Sequence, residues 1–214
     1  MIRTSARKIK KGVYGKKEMD DWNKILLNYK KAAIYIVKKI DAYNKEIAAK
    51  GADAPIEHIK YRIKSQKSIE EKLKKYNKPF SPEAAIMTLR DIAGVRLICP
   101  FEKDIQKVVN YIRGQEDINI IKTKDYITYP KPSGYKSFHM IVSVNIDEKP
   151  VTVEIQIRTL AMDFWACMEH KIAYKKDDKK TRSLRKRLKK CAEQIAKVEK
   201  EMCLIRDGKD TPPC

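Results

Sequence analysis

Residues 151–158, Val-Thr-Val-Glu-Ile-Gln-Ile-Arg, alternate strictly between apolar and polar side chains. Successive side chains of a strand point to opposite faces. Val151, Val153, Ile155 and Ile157 therefore share a core face, and Thr152, Glu154, Gln156 and Arg158 share the other. That second face sets a carboxylate, an amide and a guanidinium side by side. A solvated strand face would give the same pattern. A covered face needs partners, because buried polar groups are costly unless bonded. The segment that follows at once, with Trp165, Glu169 and His170, argues for partial cover. A second carboxylate, Asp91, stands in "RDIAGVR", where a helical pattern gives way to a strand. Arg96 lies inside that strand, where charge is uncommon unless paired, and Gly94 leaves room for close approach. Brought together from neighbouring strands, Asp91 and Glu154 would make a two-carboxylate site for Mg²⁺, which takes a few carboxylates plus substrate phosphate oxygens. One of them could instead accept the proton of a hydroxyl nucleophile.

The loop "YPKPSGYKSFH", residues 129–139, crowds Lys131, Tyr135, Lys136 and His139 between turn residues. This composition suits a ligand that is flat at one end and negative at the other. Tyr135 offers a face to a base, Lys131 and His139 offer charge or donors to phosphates, and Gly134 lets the backbone come close. A third cluster, "YRIKSQKSIEEK", sets Arg62, Lys64, Ser65, Lys67, Ser68 and Lys72 before and along the start of a helix. Helix N-termini with lysines bind phosphate in principle, but such clusters are unspecific in a chain with 48 Lys and Arg. There is no P-loop, dinucleotide fingerprint or H-E-x-x-H motif. The three histidines leave little room for a multi-histidine metal site. Phe164 and Trp165 read as core residues.

The elements that must hold these groups follow from periodicity. A long amphipathic helix runs from about Asp20 or Asp21, as caps, to Gly51, with Trp22, Ile25, Leu26, Tyr29, Ala33, Ile36 and Ile40 on one side. Its stripe fits either its own sheet or a second subunit. "SIEEKLKKYN" is a helix in which Ser68 and Glu71 have capping-box spacing, and "SPEAAIMTL" is another, with Ser81 as cap and Pro82 in its first turn. "IAGVRLICPF" is a buried strand, "EKDIQKVVNYIRG" an amphipathic helix and "INIIKT" a short strand. "SFHMIVSVNI" and "VTVEIQIRT" form a hairpin through "DEKP". "LAMDFWACMEHKIAYKK" and the basic run from Thr181 to about Ile205 are helical. Strands in the middle with helices at both ends indicate a single α+β domain over residues 18–205, between a loosely held basic segment 1–17 and a fraying tail 206–214.

With 214 residues, 43% hydrophobic, the chain is globular in composition. No apolar run approaches the length of a bilayer span, and the N-terminus does not read as a secretory signal. Five widely spaced cysteines without C-x-x-C pairing read as reduced thiols of a cytoplasmic protein. The net charge of +20 suits phosphate-bearing ligands, nucleic acid or an anionic surface, although a solubilising lysine coat accounts for much of it.

Taken in order, "RIKSQKSIEEKL", "DIAGVRLIC", "KDYITYPKPSGYKSFH" and "VEIQIRTLAMDFWACMEHK" resemble the synthetase domain of the RelA/SpoT superfamily. The likeness spans roughly residues 20 to 205 and is that of a small alarmone synthetase, without the hydrolase and regulatory domains of the long members. It implies a mixed β-sheet flanked by helices, similar to nucleotidyltransferases, and transfer of pyrophosphate from ATP to the 3′-hydroxyl of GTP or GDP. On the matching motifs, Asp91 would hold Mg²⁺ and Glu154 would assist the metal and activate the hydroxyl. Arg62 and Arg96 would sandwich the adenine, and Lys64, Ser68 and Lys72 would reach the ATP phosphates. Tyr135 would stack on guanine, with Lys131 and His139 near the acceptor's phosphates and Gln156 as a further acceptor contact. The family often has leucine or isoleucine where this chain has Phe138, and "KTKD", Lys122 to Asp125, matches the basic form of a variable motif. Short members commonly form homotetramers through terminal helices, so a homo-oligomer is expected. Two alternatives remain: a toxin-type relative acting on adenine nucleotides or tRNA, and a non-catalytic module binding nucleotides or RNA.

Overall fold

The computed structural model describes residues 16–173 and 181–208. The elements run α1 (Lys16–Ala49), β1 (His58–Ile63), α2 (Gln66–Lys75), α3 (Pro82–Thr88), β2 (Ala93–Cys99), α4 (Glu102–Arg113), β3 (Asn119–Asp125), β4 (Phe138–Ile146), β5 (Lys149–Thr159), α5 (Leu160–Ala173) and α6 (Thr181–Arg206). The sheet has five strands in the order β1-β2-β5-β4-β3. Only β2 and β5 pair in parallel, so the sheet is mixed and the expected α+β class holds.

The alternation along β5 works as its sequence implies. Val151, Val153, Ile155 and Ile157 are buried with Val95 and Leu97 of β2 and Met140 and Val142 of β4. The same core takes in Ile36 and Ile40 of α1 and Ile105, Val108, Val109 and Ile112 of α4. The stripe of α1, including Trp22 and Tyr29, thus packs within its own subunit. The β4–β5 hairpin turns at Asp147 and Glu148, both with positive φ (48° and 61°), the conformation that suits a tight hairpin between twisted strands. Ser81 caps α3 by accepting from the Ala84 N–H, with Pro82 at the start of the helix as expected.

Four local expectations need correction. Helix α1 begins by Lys16, so Asp20 and Asp21 lie inside it rather than capping it; residues 1–15 and 209–214 of the expected loose ends lie outside the described residues. Helix α2 is capped by Ser65, whose hydroxyl accepts from the Ser68 N–H, so the Ser68/Glu71 spacing is not a cap. Strand β1 was not anticipated within the basic cluster before α2. Trp165 is buried (5% exposed), but Phe164 is 59% exposed and is no core residue.

A second, smaller core lies apart from the main one. Trp165, Ala166 and Leu188 form it, joined by Tyr135, Leu184, Ala192 and Ile195, and the Trp165 indole donates to the Leu188 carbonyl at 3.0 Å. It seats the 129–139 loop on α5 and α6.

Candidate active site

Register alone assembles a polar row across one sheet face. Lys60 of β1 lies opposite Arg96 of β2, and Arg62 opposite Gly94. Gly94 and Arg96 in turn lie beside Glu154 and Gln156 of β5, and Gln156 lies opposite His139 of β4. Lys124, of the "KTKD" segment, extends the row on β3 opposite His139. An open cleft of about 320 Å³ is lined by Lys60, Arg62, Asp91, Gly94, Arg96, Glu154 and Gln156. The two carboxylates singled out from sequence therefore share one cleft.

Asp91 enters from the turn before β2. Its Oδ2 accepts from Lys64 Nζ at 2.8 Å and Lys72 Nζ at 2.5 Å, while its Oδ1 is buried without a protein partner. Burial by itself would raise this carboxyl, but the bonds and charges of Lys64 and Lys72 outweigh it and hold it below the usual carboxylate range. Glu154 behaves alike. Burial raises it, yet bonds from His139 and Gln156 bring it below its ordinary value despite the opposing charge of Asp91. Both groups are thus anions at neutral pH. Among the described residues, no third His, Cys, Asp or Glu joins them to complete a metal cage. A pair of carboxylates with a free buried oxygen suits Mg²⁺, which keeps waters and substrate phosphates in its remaining positions.

Tyr135, His139, Gln156 and Arg158 form one chain of hydrogen bonds that ends on Glu154. Arg158 Nη2 donates to Tyr135 Oη at 2.7 Å and to Gln156 Oε1 at 3.1 Å. Tyr135 Oη lies 2.9 Å from His139 Nε2, and His139 Nδ1 lies 3.2 Å from Glu154 Oε1. Gln156 Nε2 donates to Glu154 Oε2 at 2.9 Å. One assignment satisfies every link: Tyr135 donates its hydroxyl proton to Nε2, and a His139 protonated on Nδ1 donates to Glu154. The Tyr135 ring also has Lys131 Nζ 4.7 Å from its centroid, and the same ammonium lies 4.9 Å from the Tyr126 centroid. Arg158 also lies on the Tyr135 ring, its guanidinium carbon 5.0 Å from the centroid.

Gly134 fixes the loop. Its φ is +93°, and an added Cβ would lie 2.7 Å from Ala192 Cβ and 3.2 Å from Lys189 Cα. Backbone bonds from Lys131 N–H to the Tyr135 carbonyl (3.1 Å) and from Gly134 N–H to the Lys131 carbonyl (2.8 Å) close the turn. The close approach that glycine permits here is to α6. Lys136 pairs with Glu102 at 3.5 Å, and it lines a cavity against α6 together with Lys131. Ser68 is bonded to the Ser65 hydroxyl at 3.0 Å in the first turn of α2 and does not line the cleft.

Three participants escaped the sequence reading. Arg158 was placed in the polar row but not among the site residues, Tyr126 flanks Lys131, and Asp163 of α5 reaches both Arg158 and Arg96. The burial of Arg158 beside a helix start is the signal that points to Asp163.

A model described as the region found in RelA / SpoT proteins matches residues 61–179. The chain is 41% identical over 196 residues to the GTP pyrophosphokinase YwaC of Bacillus subtilis, covering 90% of this chain and 93% of that one. It is 36% identical over 194 residues to GTP pyrophosphokinase YjbM of the same organism, covering 88% and 90%. The crystal structure of small alarmone synthetase 1 from Bacillus subtilis bound to its product pppGpp superposes with a TM-score of 0.80 at 34% identity, over 90% of this chain and all of that one. The chain belongs to the RelA/SpoT family.

Proposed function

We propose that this protein transfers pyrophosphate from ATP to the ribose 3′-hydroxyl of GTP or GDP, giving pppGpp or ppGpp and AMP. The observation that carries the reading is the pairing of Asp91 and Glu154 in one cleft that Arg62 and Arg96 also line, with Glu154 linked through His139 to Tyr135. Arg62 and Arg96 hold the adenine, and Lys64 and Lys72 turn from Asp91 toward the ATP phosphates, with Ser68 behind them. Tyr135 stacks on guanine, Lys131 and His139 meet the acceptor's phosphates, and Gln156 orients Glu154 while contacting the acceptor. Asp91, through its unpartnered oxygen, and Glu154 would hold Mg²⁺, which when bound offsets charge on the transferred group. Glu154 accepts the proton of the 3′-hydroxyl; its ionised state at neutral pH makes it ready, and His139 keeps it oriented. Holding two nucleotides in line is much of the remaining catalysis.

Incubation with labelled ATP and, in turn, GTP, GDP, ATP or tRNA tests the acceptor. Guanosine nucleotides are expected to be converted and the other two left unchanged; label on tRNA or on an adenine nucleotide would select the toxin-type reading instead. Replacing Tyr135 gives a second check. Tyr135→Ala is expected to lower kcat/KM for GTP roughly 5- to 150-fold, the value of about 1–3 kcal/mol of stacking, while Tyr135→Phe, which keeps the ring, loses less. Equal acceptor kinetics for the Ala variant and wild type would remove the stack.

The protein works as a homo-oligomer in the cytoplasm on this reading. The wide cysteine spacing without C-x-x-C pairs is what favours that compartment. Leu160, Phe164 and Met168 leave an exposed apolar stripe on α5, and Val198, Met202 and Ile205 leave another on α6. Such stripes suit burial against a second copy. Combined Phe164→Asp and Ile205→Asp substitutions are expected to lower the mass seen by light scattering toward the 24.9 kDa protomer; an unchanged mass would place any interface elsewhere.

A further inference from the structure

We propose that Asp163 is a positioning residue that serves both nucleotide sites through a single oxygen. The inference rests on the donor and acceptor sides assigned above. Asp163 Oδ1 accepts from Arg158 Nη1 at 3.1 Å and from Arg96 Nη1 at 3.4 Å. Arg96 borders the ATP side of the cleft. Arg158 stands behind Tyr135, its guanidinium carbon 5.0 Å from the ring centroid, and bonds the Tyr135 hydroxyl and Gln156. The two guanidiniums are therefore set relative to each other by one carboxylate. Arg158 is 5% exposed, and its other described bonds go to neutral groups: Tyr135, Gln156 and the Ser137 hydroxyl at 3.4 Å. Asp163 is thus its anionic partner, and leaving a buried charge without its partner is strongly unfavourable. The carboxylate is itself held in place. It lies in the first turn of α5, where the helix dipole favours an anion, and its Oδ2 accepts from Cys167 Sγ at 3.8 Å. Arg158 passes the constraint to Tyr135 and Gln156, and both of these lead to Glu154 through the bonds described above.

Titration calorimetry with GTP and with a non-hydrolysable ATP analogue reads this directly. Asp163→Asn is expected to weaken both dissociation constants by about 10-fold, the value of a hydrogen bond to a charged group. In an Arg96→Ala background the same substitution should leave the ATP-analogue constant unchanged and still weaken GTP, a split that general destabilisation would not produce. Asp163→Glu, which keeps the charge but shifts it by a methylene, serves where the Asn variant does not fold, and should show the same paired weakening. A folded variant with wild-type constants for either nucleotide overturns the proposal, as does an undiminished ATP effect in the Arg96→Ala background. Wild type that binds both nucleotides without forming an alarmone would sink the proposed activity, yet the constants would still decide the role of Asp163. Wild type that binds neither nucleotide overturns both.

Discussion

Glu154→Gln should yield a folded protein that binds GTP but transfers pyrophosphate about 10²- to 10⁴-fold more slowly, the usual cost of losing a general base. The substitution keeps size and shape. It removes the charge that would help hold the metal and the lone pairs that would take the 3′-hydroxyl proton, so any metal disturbance adds to the loss. The local bonds also shift. His139 can still donate to the new amide oxygen, but Gln156 now meets an amide N–H where it met Glu154 Oε2. Gln156 cannot simply turn over, because its oxygen accepts from Arg158. One hydrogen bond is therefore lost, a net cost of about 1 kcal/mol, and the melting temperature should move by only a few degrees. Single-turnover kinetics beside a GTP-binding titration separates the two effects. A kcat above about a tenth of wild type, well short of the expected loss, would remove Glu154 from the chemistry.

Asp91→Asn is expected to lower kcat/KM by about 100-fold or more and to move the Mg²⁺ concentration for half-maximal rate upward. Lewis-acid stabilisation is worth several kcal/mol, and Asp91 offers a buried oxygen with no protein partner. A purely structural Asp91 predicts something different. Lys64 and Lys72 are only 15% and 33% exposed, and both bond the same Oδ2. If Asp91 merely neutralised them, its replacement would lower stability and alter ATP affinity without changing the Mg²⁺ dependence. Rate measured against Mg²⁺ at saturating ATP distinguishes the two, and an unchanged midpoint would take Asp91 out of the metal site.

Much of this arrangement was legible because it is local. The alternation of β5, the Ser81–Pro82 helix start and the apolar spacing of α4 each lie within a dozen residues and need no partner to interpret. Asp91 and Glu154 could be paired in advance because each stood out as a carboxylate in a strand-associated position. Strand β1 shows how charge can mask a pattern. Ile59, Tyr61 and Ile63 alternate with His58, Lys60 and Arg62, but an edge strand buries little, and its lysine and arginine read as part of a phosphate cluster. Phe164 differs from its expected burial because periodicity along α5 does not say which neighbours cover each side; Trp165 meets α6, and its neighbour meets solvent. The role of Asp163 was out of reach for a different reason. Its partner Arg96 lies far away in sequence, and only the parallel pairing of β2 with β5 brings Arg96 and Arg158 to the same helix start.

The proposed reaction makes a balanced chemical statement: for each pyrophosphate moved to a 3′-oxygen, one AMP leaves. Anion-exchange chromatography after incubation of the protein with ATP, Mg²⁺ and GTP reads both products in one trace. AMP and pppGpp should appear in equal amounts, and 3′-deoxyguanosine triphosphate in place of GTP should give neither. Release of ADP, AMP accompanied by free pyrophosphate, or an equal yield from the 3′-deoxy acceptor would contradict pyrophosphate transfer to that hydroxyl.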